Sequence, residues 1–337
     1  MPVSKRYWSL NLTYASEATH RSRSDVTAVS LSRPAKVQGS PIFSVFVGLN
    51  GIRAGWRLLL FIVFFRVTNT AMAAMLKRIP AIHAWRLAQD PNVLTASGQI
   101  YRGGIGVASL LIAILLMTLI EKRSFADYYL APRQTLGKRF WQGIPYGFAM
   151  VSVLMAVIAV FHGFSLGRMA LSSSDAVKYG LLHGVGFILI ALLEESLFRG
   201  YMQSTLGSAI RFWPSAIILS ILFGALHLQN SGEAWFGALM AGSFGLLAAF
   251  ALQRTGNVWF PVGMHTAWDW GLTYFYSAPD SGFLAKGHLL NSSFQGPPWI
   301  TGGAVGPEGS AFVCGVLILS AIGIHFLFPA NAKTRAI

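Results

Sequence analysis

The sequence predicts an all-α, polytopic membrane protein with about eight transmembrane helices bundled around an intramembrane polar cavity. Three observations carry this expectation. Mean hydropathy is +0.54, with 54% of residues hydrophobic and 11% charged; a water-soluble domain carries about a quarter charged residues. Apolar runs of about 20 residues, the length that crosses a bilayer core as helix, recur along the chain. The few acids inside those runs fall at helical spacing on neighbouring segments.

Taken in order, residues 1–40 are rich in Ser, Thr, Ala and Arg and hold no apolar run. They read as a disordered, solvated basic tail, with an organelle transit peptide as the less favoured reading of that composition. The membrane domain is 41–337. Its first stretch, 41–52 (PIFSVFVGLNGI), is too short to cross and reads as an interfacial lead-in. Candidate spans follow near 56–76, 103–121, 143–163, 178–206, 214–230, 235–253, 258–276 and 310–328. Residues 277–308, rich in Gly, Pro and Ser, form the longest external segment and are expected to cap the outer mouth of the bundle. No internal repeat is visible. The single cysteine, Cys314, lies in an apolar run, so there is neither a disulfide framework nor a cysteine zinc site.

The 26 Lys and Arg against 12 Asp and Glu could suggest nucleic acid. Their placement gives a topology signal instead. Lys5, Arg6, Arg21, Arg23, Arg33, Lys36 and Arg53 precede the first span, and Lys122, Arg123, Arg133, Lys138 and Arg139 follow the second. Arg199, Arg211, Arg254, Lys333 and Arg335 fall on the same side if both termini face the cytoplasm of a bacterial inner (plasma) membrane. No basic-aromatic interleaving supports nucleic-acid binding. The expected partners are the lipid bilayer and a peptide or membrane-associated protein; oligomeric state is not legible.

Glu194, Glu195 and Asp269 are the acids inside predicted spans, apart from Glu121 at a span end, and His227 and His265 lie deep in apolar segments. Ionisable groups there cost about 2.5–3.5 kcal/mol on insertion scales and mark functional sites by default. Glu195 and Arg199, Phe223 and His227, and His265 and Asp269 are each four residues apart, so each pair shares a helix face. Glu194 lies thirteen residues before Gly207 and His227 thirteen after Pro214. At about 1.5 Å per residue both stand roughly 20 Å from that turn. A site opening toward the cytoplasm is expected. His183 shares a face with Glu194 but reads as structural.

A carboxylate beside an imidazole can hold and deprotonate water, and a second imidazole with a donor one turn on can stabilise an oxyanion. That mechanism needs no cofactor. The same Glu194, His227, His265 and Asp269 also form a donor set for zinc, which would generate hydroxide. Periodicity does not choose between the two, and the HExxH signature is absent.

The stretches EESLFR (Glu194, Glu195, Arg199), FGALH (Phe223, His227) and HTAWD (His265, Asp269) resemble the EExxxR, FxxxH and HxxxN/D motifs of the CAAX-protease and bacteriocin-processing (ABI) family. This family of intramembrane proteases includes the type II CAAX prenyl endopeptidases. The upstream FADYYLAP (125–132) also fits, which puts the catalytic core at 120–275. The resemblance implies an endopeptidase in which Glu194 and His227 activate water and His265 with Asp269 forms the oxyanion hole. Glu195, Arg199 and Phe223 then support the site. Asp269 stands where the prenyl endopeptidases usually have asparagine, and an ionised aspartate cannot donate to an oxyanion. It must be protonated, orient His265 or bind a metal. Two other readings remain at this stage: a non-catalytic scaffold or immunity-type protein on the same fold, and a proton or ion transporter, for which an inverted repeat is missing.

Overall fold

The computed structural model describes residues 45–48, 51–90, 93–230 and 234–329. The basic tail 1–40 and the closing Lys333 and Arg335 lie outside the described residues.

Helices occupy every predicted span. They are α1 (Ala54–Lys77), α2 (Pro80–Leu87), α3 (Ala96–Glu121), α4 (Lys138–Val160), α5 (Ser173–Glu195), α6 (Gln203–Ile210), α7 (Phe212–His227), α8 (Trp235–Thr255), α9 (Trp259–Trp270) and α10 (Phe312–Leu327). Five rods are long and apolar enough to cross a membrane unaided: α1, α3, α4, the continuous Ser173–Ile210 rod and α8. The expected spans thus resolve into five long helices and shorter apolar ones. The difference in length matters for the site. At 1.5 Å per residue, the 16 residues of α7 reach only about 24 Å. His227, its last residue, therefore stops inside the bundle.

Local chemistry sets the helix ends. Thr95 and Ser172 cap α3 and α5 by accepting from the backbone N–H of Gly98 and Asp175. Gly256, at φ +74°, takes the left-handed turn between α8 and α9. The described part of the 41–52 lead-in is a small antiparallel hairpin, β1 (Val47–Gly48) with β2 (Gly51–Ile52). The long segment between α9 and α10 is tied down twice. β3 (Val93–Leu94) pairs in parallel with β5 (Leu284–Ala285), and β4 (Phe164–Ser165) pairs antiparallel with β6 (Ser293–Phe294).

Helix packing relies on backbone approach, as expected where lipid supplies no hydrophobic drive between helices. A Cβ on Gly147 would lie 1.9 Å from the carbonyl oxygen of Met264, and one on Gly143 2.4 Å from that of Phe260, so α4 and α9 touch through their main chains. Gly186 faces Gln99, Gly103 faces Leu189, and Gly106 faces Leu193, which sets α3 and α5 parallel and in register. Away from these seams, Leu119, Val160 and Phe326 are exposed, as suits a lipid-facing surface. At the end carrying the basic loops, buried Glu121 accepts from Arg57 at 3.1 Å and Tyr201 at 2.5 Å, clamping α1, α3 and the Ser173–Ile210 rod together.

Candidate active site

Each of the two helices that carry the motif acids changes gauge next to a site residue. The α5 rod widens into a π-helix over Ser196–Met202 directly after Glu195, and α9 does the same over Gly271–Phe275, just past Asp269. Such wide turns are common at functional sites because the extra residue re-aims the side chains beside it.

Glu195 is wholly buried. Its Oε1 accepts from His265 Nδ1 at 2.9 Å and from Arg199 Nη1 at 3.3 Å. Arg199 also donates through Nε to the Gly245 carbonyl at 3.3 Å, and its guanidinium lies 4.5 Å from the centre of the Phe223 ring. Gly245 makes room here, since a Cβ would lie 2.3 Å from Arg199 Nη2 and the guanidinium would have to shift. The glycines of α8 thus do more than pack helices together: Gly242 meets Gly224 of α7, whereas Gly245 makes room for the arginine.

His265 turns its other nitrogen toward two more carboxylates. Nε2 lies 3.4 Å from Asp269 Oδ2 and 4.0 Å from Glu194 Oε2. Nδ1 is the nitrogen that meets Glu195, so the hydrogen available on this side of the ring is one carried by Nε2 or by Asp269 Oδ2. His227 Nδ1 lies 2.8 Å from the Phe223 carbonyl, which can only accept. Nδ1 therefore carries the hydrogen and Nε2 is left as a bare acceptor. Phe223 packs against the His227 ring, with centroids 4.6 Å apart.

Glu194, His227, His265 and Asp269 line one cavity of about 190 Å³. Its other walls include Gln99 and Arg102 from the start of α3, Asn230 after α7, and Asp280 and Glu308 from the segment between α9 and α10. These all belong to the end of the bundle away from the Gly207–Pro214 turn and the basic 122–139 loop. The cavity thus opens opposite to the side expected from the sequence. A site about 20 Å from the turn is compatible with an opening at either end of the bundle. α7 ends at His227, so the open space lies beyond that residue.

Sequence reasoning missed Gln99, Arg102, Trp268, Asp280 and Glu308 as wall residues. Glu308 accepts from Trp268 Nε1 at 2.8 Å and from the Ser281 N–H and hydroxyl at 3.0 Å each, which brings the segment between α9 and α10 down onto the site. Asp280 accepts from Thr273 at 2.8 Å. Burial, with Asp269 and Glu308 beside it, pushes the Asp280 carboxyl well above the usual carboxylate range. The available signal was the position of these two acids in the segment predicted to cap the mouth. His183 is fully buried, held by Gln99 at 2.8 Å and the Lys286 carbonyl at 3.0 Å.

The zinc expectation fares differently. Among the described residues, the three side chains whose ligand atoms lie within 4.8 Å of one another are Asp269, Asp280 and Glu308, and not the expected Glu194, His227, His265 and Asp269. Both nitrogens of His265 are engaged by carboxylates, and Nδ1 of His227 is spent on Phe223. The trio that does converge offers oxygens alone, where zinc sites are built on His and Cys. The expected donor set does not fit a zinc ion.

Residues 176–271 match the family described as type II CAAX prenyl endopeptidase Rce1-like. Over 181 residues the chain is 23% identical to "Putative membrane peptidase YdiL" of Bacillus subtilis, covering 52% of this chain and 70% of that protein. It is 26% identical over 126 residues to "Uncharacterized protein YpbD" of the same organism, covering 37% of this chain and 62% of that protein. With an "Uncharacterized 24.3 kDa protein" of Escherichia coli it shares 37% identity over 81 residues, covering 23% of this chain and 36% of that protein. Fold and hydropathy together define an integral, polytopic, all-α membrane protein. The matched segment 176–271 spans all three motifs, and there the chain is similar to the Rce1-like family.

Proposed function

We propose that this chain is an intramembrane endopeptidase of a bacterial plasma membrane, hydrolysing a peptide bond of a membrane-associated or peptide substrate with protein groups alone. The observation that carries the reading is the meeting of Glu194, His227, His265 and Asp269 in one cavity, with His227 in the tautomer that leaves Nε2 free. Water held between Glu194 and His227 Nε2 gives one proton to the Glu194 carboxylate as its oxygen attacks the carbonyl carbon. The carbonyl π electrons move to oxygen, where a hydrogen carried by His265 Nε2 or by Asp269 Oδ2 stabilises the developing charge. The amine leaves as the C–N bond breaks, taking the proton back from Glu194. Glu195, Arg199 and Phe223 hold His265 and His227 in position.

The test compares peptides released from membranes holding wild type, Glu194→Ala or His227→Ala, each confirmed as inserted. Either substitution is expected to lower product by at least about 10³-fold, as for loss of a principal acid–base group. Cleavage by wild type is expected to survive 1,10-phenanthroline. Equal processing by Glu194→Ala would refute the reading, and loss of cleavage on chelation alone would refute its metal-free form.

A further inference from the structure

The cavity wall carries four acids, Glu194, Asp269, Asp280 and Glu308, and among the described residues one permanent cation, Arg102. Among the described residues, no hydrogen bond, ion pair or ring contact engages Arg102. All four carboxylates share the cavity with it, yet none comes within ion-pair distance. Its task is therefore not to neutralise the site. Arg102 is exposed near the start of its helix, so its guanidinium is open to a ligand that enters the cavity. Its planar fork is suited to a carboxylate.

The register of α3 on α5 gives the depth. Gly103 faces Leu189 and Gly106 faces Leu193, so Arg102 stands level with Leu189. Glu194 is five residues further along, about 7 Å deeper at 1.5 Å per residue. The wall under Arg102 is firm: Gln99, one turn earlier, is buried and held by His183. Arg102 is also in the second turn of a helix whose positive end faces the mouth. A substrate carboxylate would be attracted at this point and repelled by the Glu194 carboxylate further in.

We propose that Arg102 anchors a carboxylate of the substrate peptide at the cavity mouth, and so sets which bond reaches Glu194. This rests on the peptidase reading above. An extended chain advances about 3.3–3.6 Å per residue, which places the anchored carboxylate within about three residues of the bond that breaks. The carboxylate is either the chain's own C-terminus or an acidic side chain.

Binding to the Glu194→Ala protein in nanodiscs tests this without requiring cleavage. The probes are a fluorescein-labelled octapeptide of Ala and Leu with a free C-terminal carboxylate, its C-terminal amide, and the amide with one Glu in the last three positions. The free acid or the Glu-containing amide is expected to bind at least about 10-fold tighter than the plain amide, and which of them does so identifies the source of the carboxylate. Adding Arg102→Gln is expected to erase the difference, and Arg102→Glu to reverse it for a Lys-containing amide. Equal binding of all probes, or a preference that survives Arg102→Gln, would overturn the proposal. So would an Arg102→Gln effect seen only in discs containing phosphatidylglycerol, which would assign the arginine to a lipid headgroup. Failure of Glu194→Ala to affect cleavage would instead count against the peptidase reading and leave these binding results standing.

Discussion

Glu195 Oε1 and His265 Nδ1 meet at 2.9 Å, with the carboxylate fully withdrawn from solvent. The same oxygen receives Arg199 at 3.3 Å, so one buried anion fixes both the imidazole of α9 and the guanidinium one turn along its own rod. Glu195 thereby separates two tasks: it holds His265, while its neighbour Glu194, 30% exposed along its side chain, faces the cavity.

A stability measurement can separate the two roles of this anion. Glu195→Leu leaves Arg199 buried and uncompensated, a loss of about 3–5 kcal/mol by analogy with other broken buried pairs. Glu195→Leu with Arg199→Leu removes both charges and is expected to recover most of the melting temperature. Cleavage is expected to stay lost in both, because His265 has no acceptor for Nδ1. Recovery of activity in the double variant would show that the ion pair serves only to seat the helix.

The Gly147 contact predicts a coupled defect. A methyl group there would overlap the Met264 carbonyl, which is main chain and cannot swing aside. Gly147→Ala must therefore push α9 away from α4. Overpacking of this kind costs about 1–3 kcal/mol. Because Met264 precedes His265, the same displacement should lower cleavage at temperatures where the protein is still folded. Gly104, where an added Cβ would meet nothing within 4 Å, is the control, and Gly104→Ala should change neither quantity.

These details show what was legible in the sequence. Long apolar runs, helical spacing and three ordered motifs were enough for the all-α membrane fold and for bringing Glu194, His227, His265 and Asp269 to one place. Those signals are local, set by the solvent and by the 3.6-residue turn. The end of the bundle at which the cavity opens was not legible, because it depends on α7 stopping at His227 rather than running to the far surface. Asp280 and Glu308 were also hidden. Their segment carries no periodicity, and its position follows from two short strand pairings and the bond from Trp268 to Glu308. The widening after Glu195 and Asp269 has no sequence signature that helical spacing would register.

Asp280 predicts a pH dependence of that segment. Burial and two neighbouring acids raise its carboxyl in the folded protein above its unfolded value. Folding therefore favours the protonated form. Its stabilising contribution is full below the ordinary carboxylate range near about 4 and is lost as pH rises through the folded value. The segment between α9 and α10 should exchange its amide hydrogens faster as pH climbs, after correction for intrinsic exchange. Asp280→Asn keeps an oxygen for Thr273 and should flatten that dependence. An unchanged slope in Asp280→Asn would assign the effect to another group.

The direction of the cavity makes the last prediction. The basic loop after α3, with Lys122, Arg123, Arg133, Lys138 and Arg139, and Arg211 and Arg254 lie at the end opposite the cavity mouth. Positive loops stay in the cytoplasm, so both termini would be cytoplasmic and the mouth would face the outer side. Substrate would then enter from outside the cell rather than from the cytoplasm. Two single-cysteine proteins on a Cys314→Ser background test this: Gln295→Cys in the exposed segment near the mouth and Thr135→Cys in the basic loop. A membrane-impermeant maleimide applied to intact spheroplasts should label the first and spare the second until the cells are lysed. The reverse pattern would turn the molecule over, place the mouth in the cytoplasm and make this chain an exception to the charge rule. Labelling of both before lysis would show leaky cells and would require repetition in sealed vesicles.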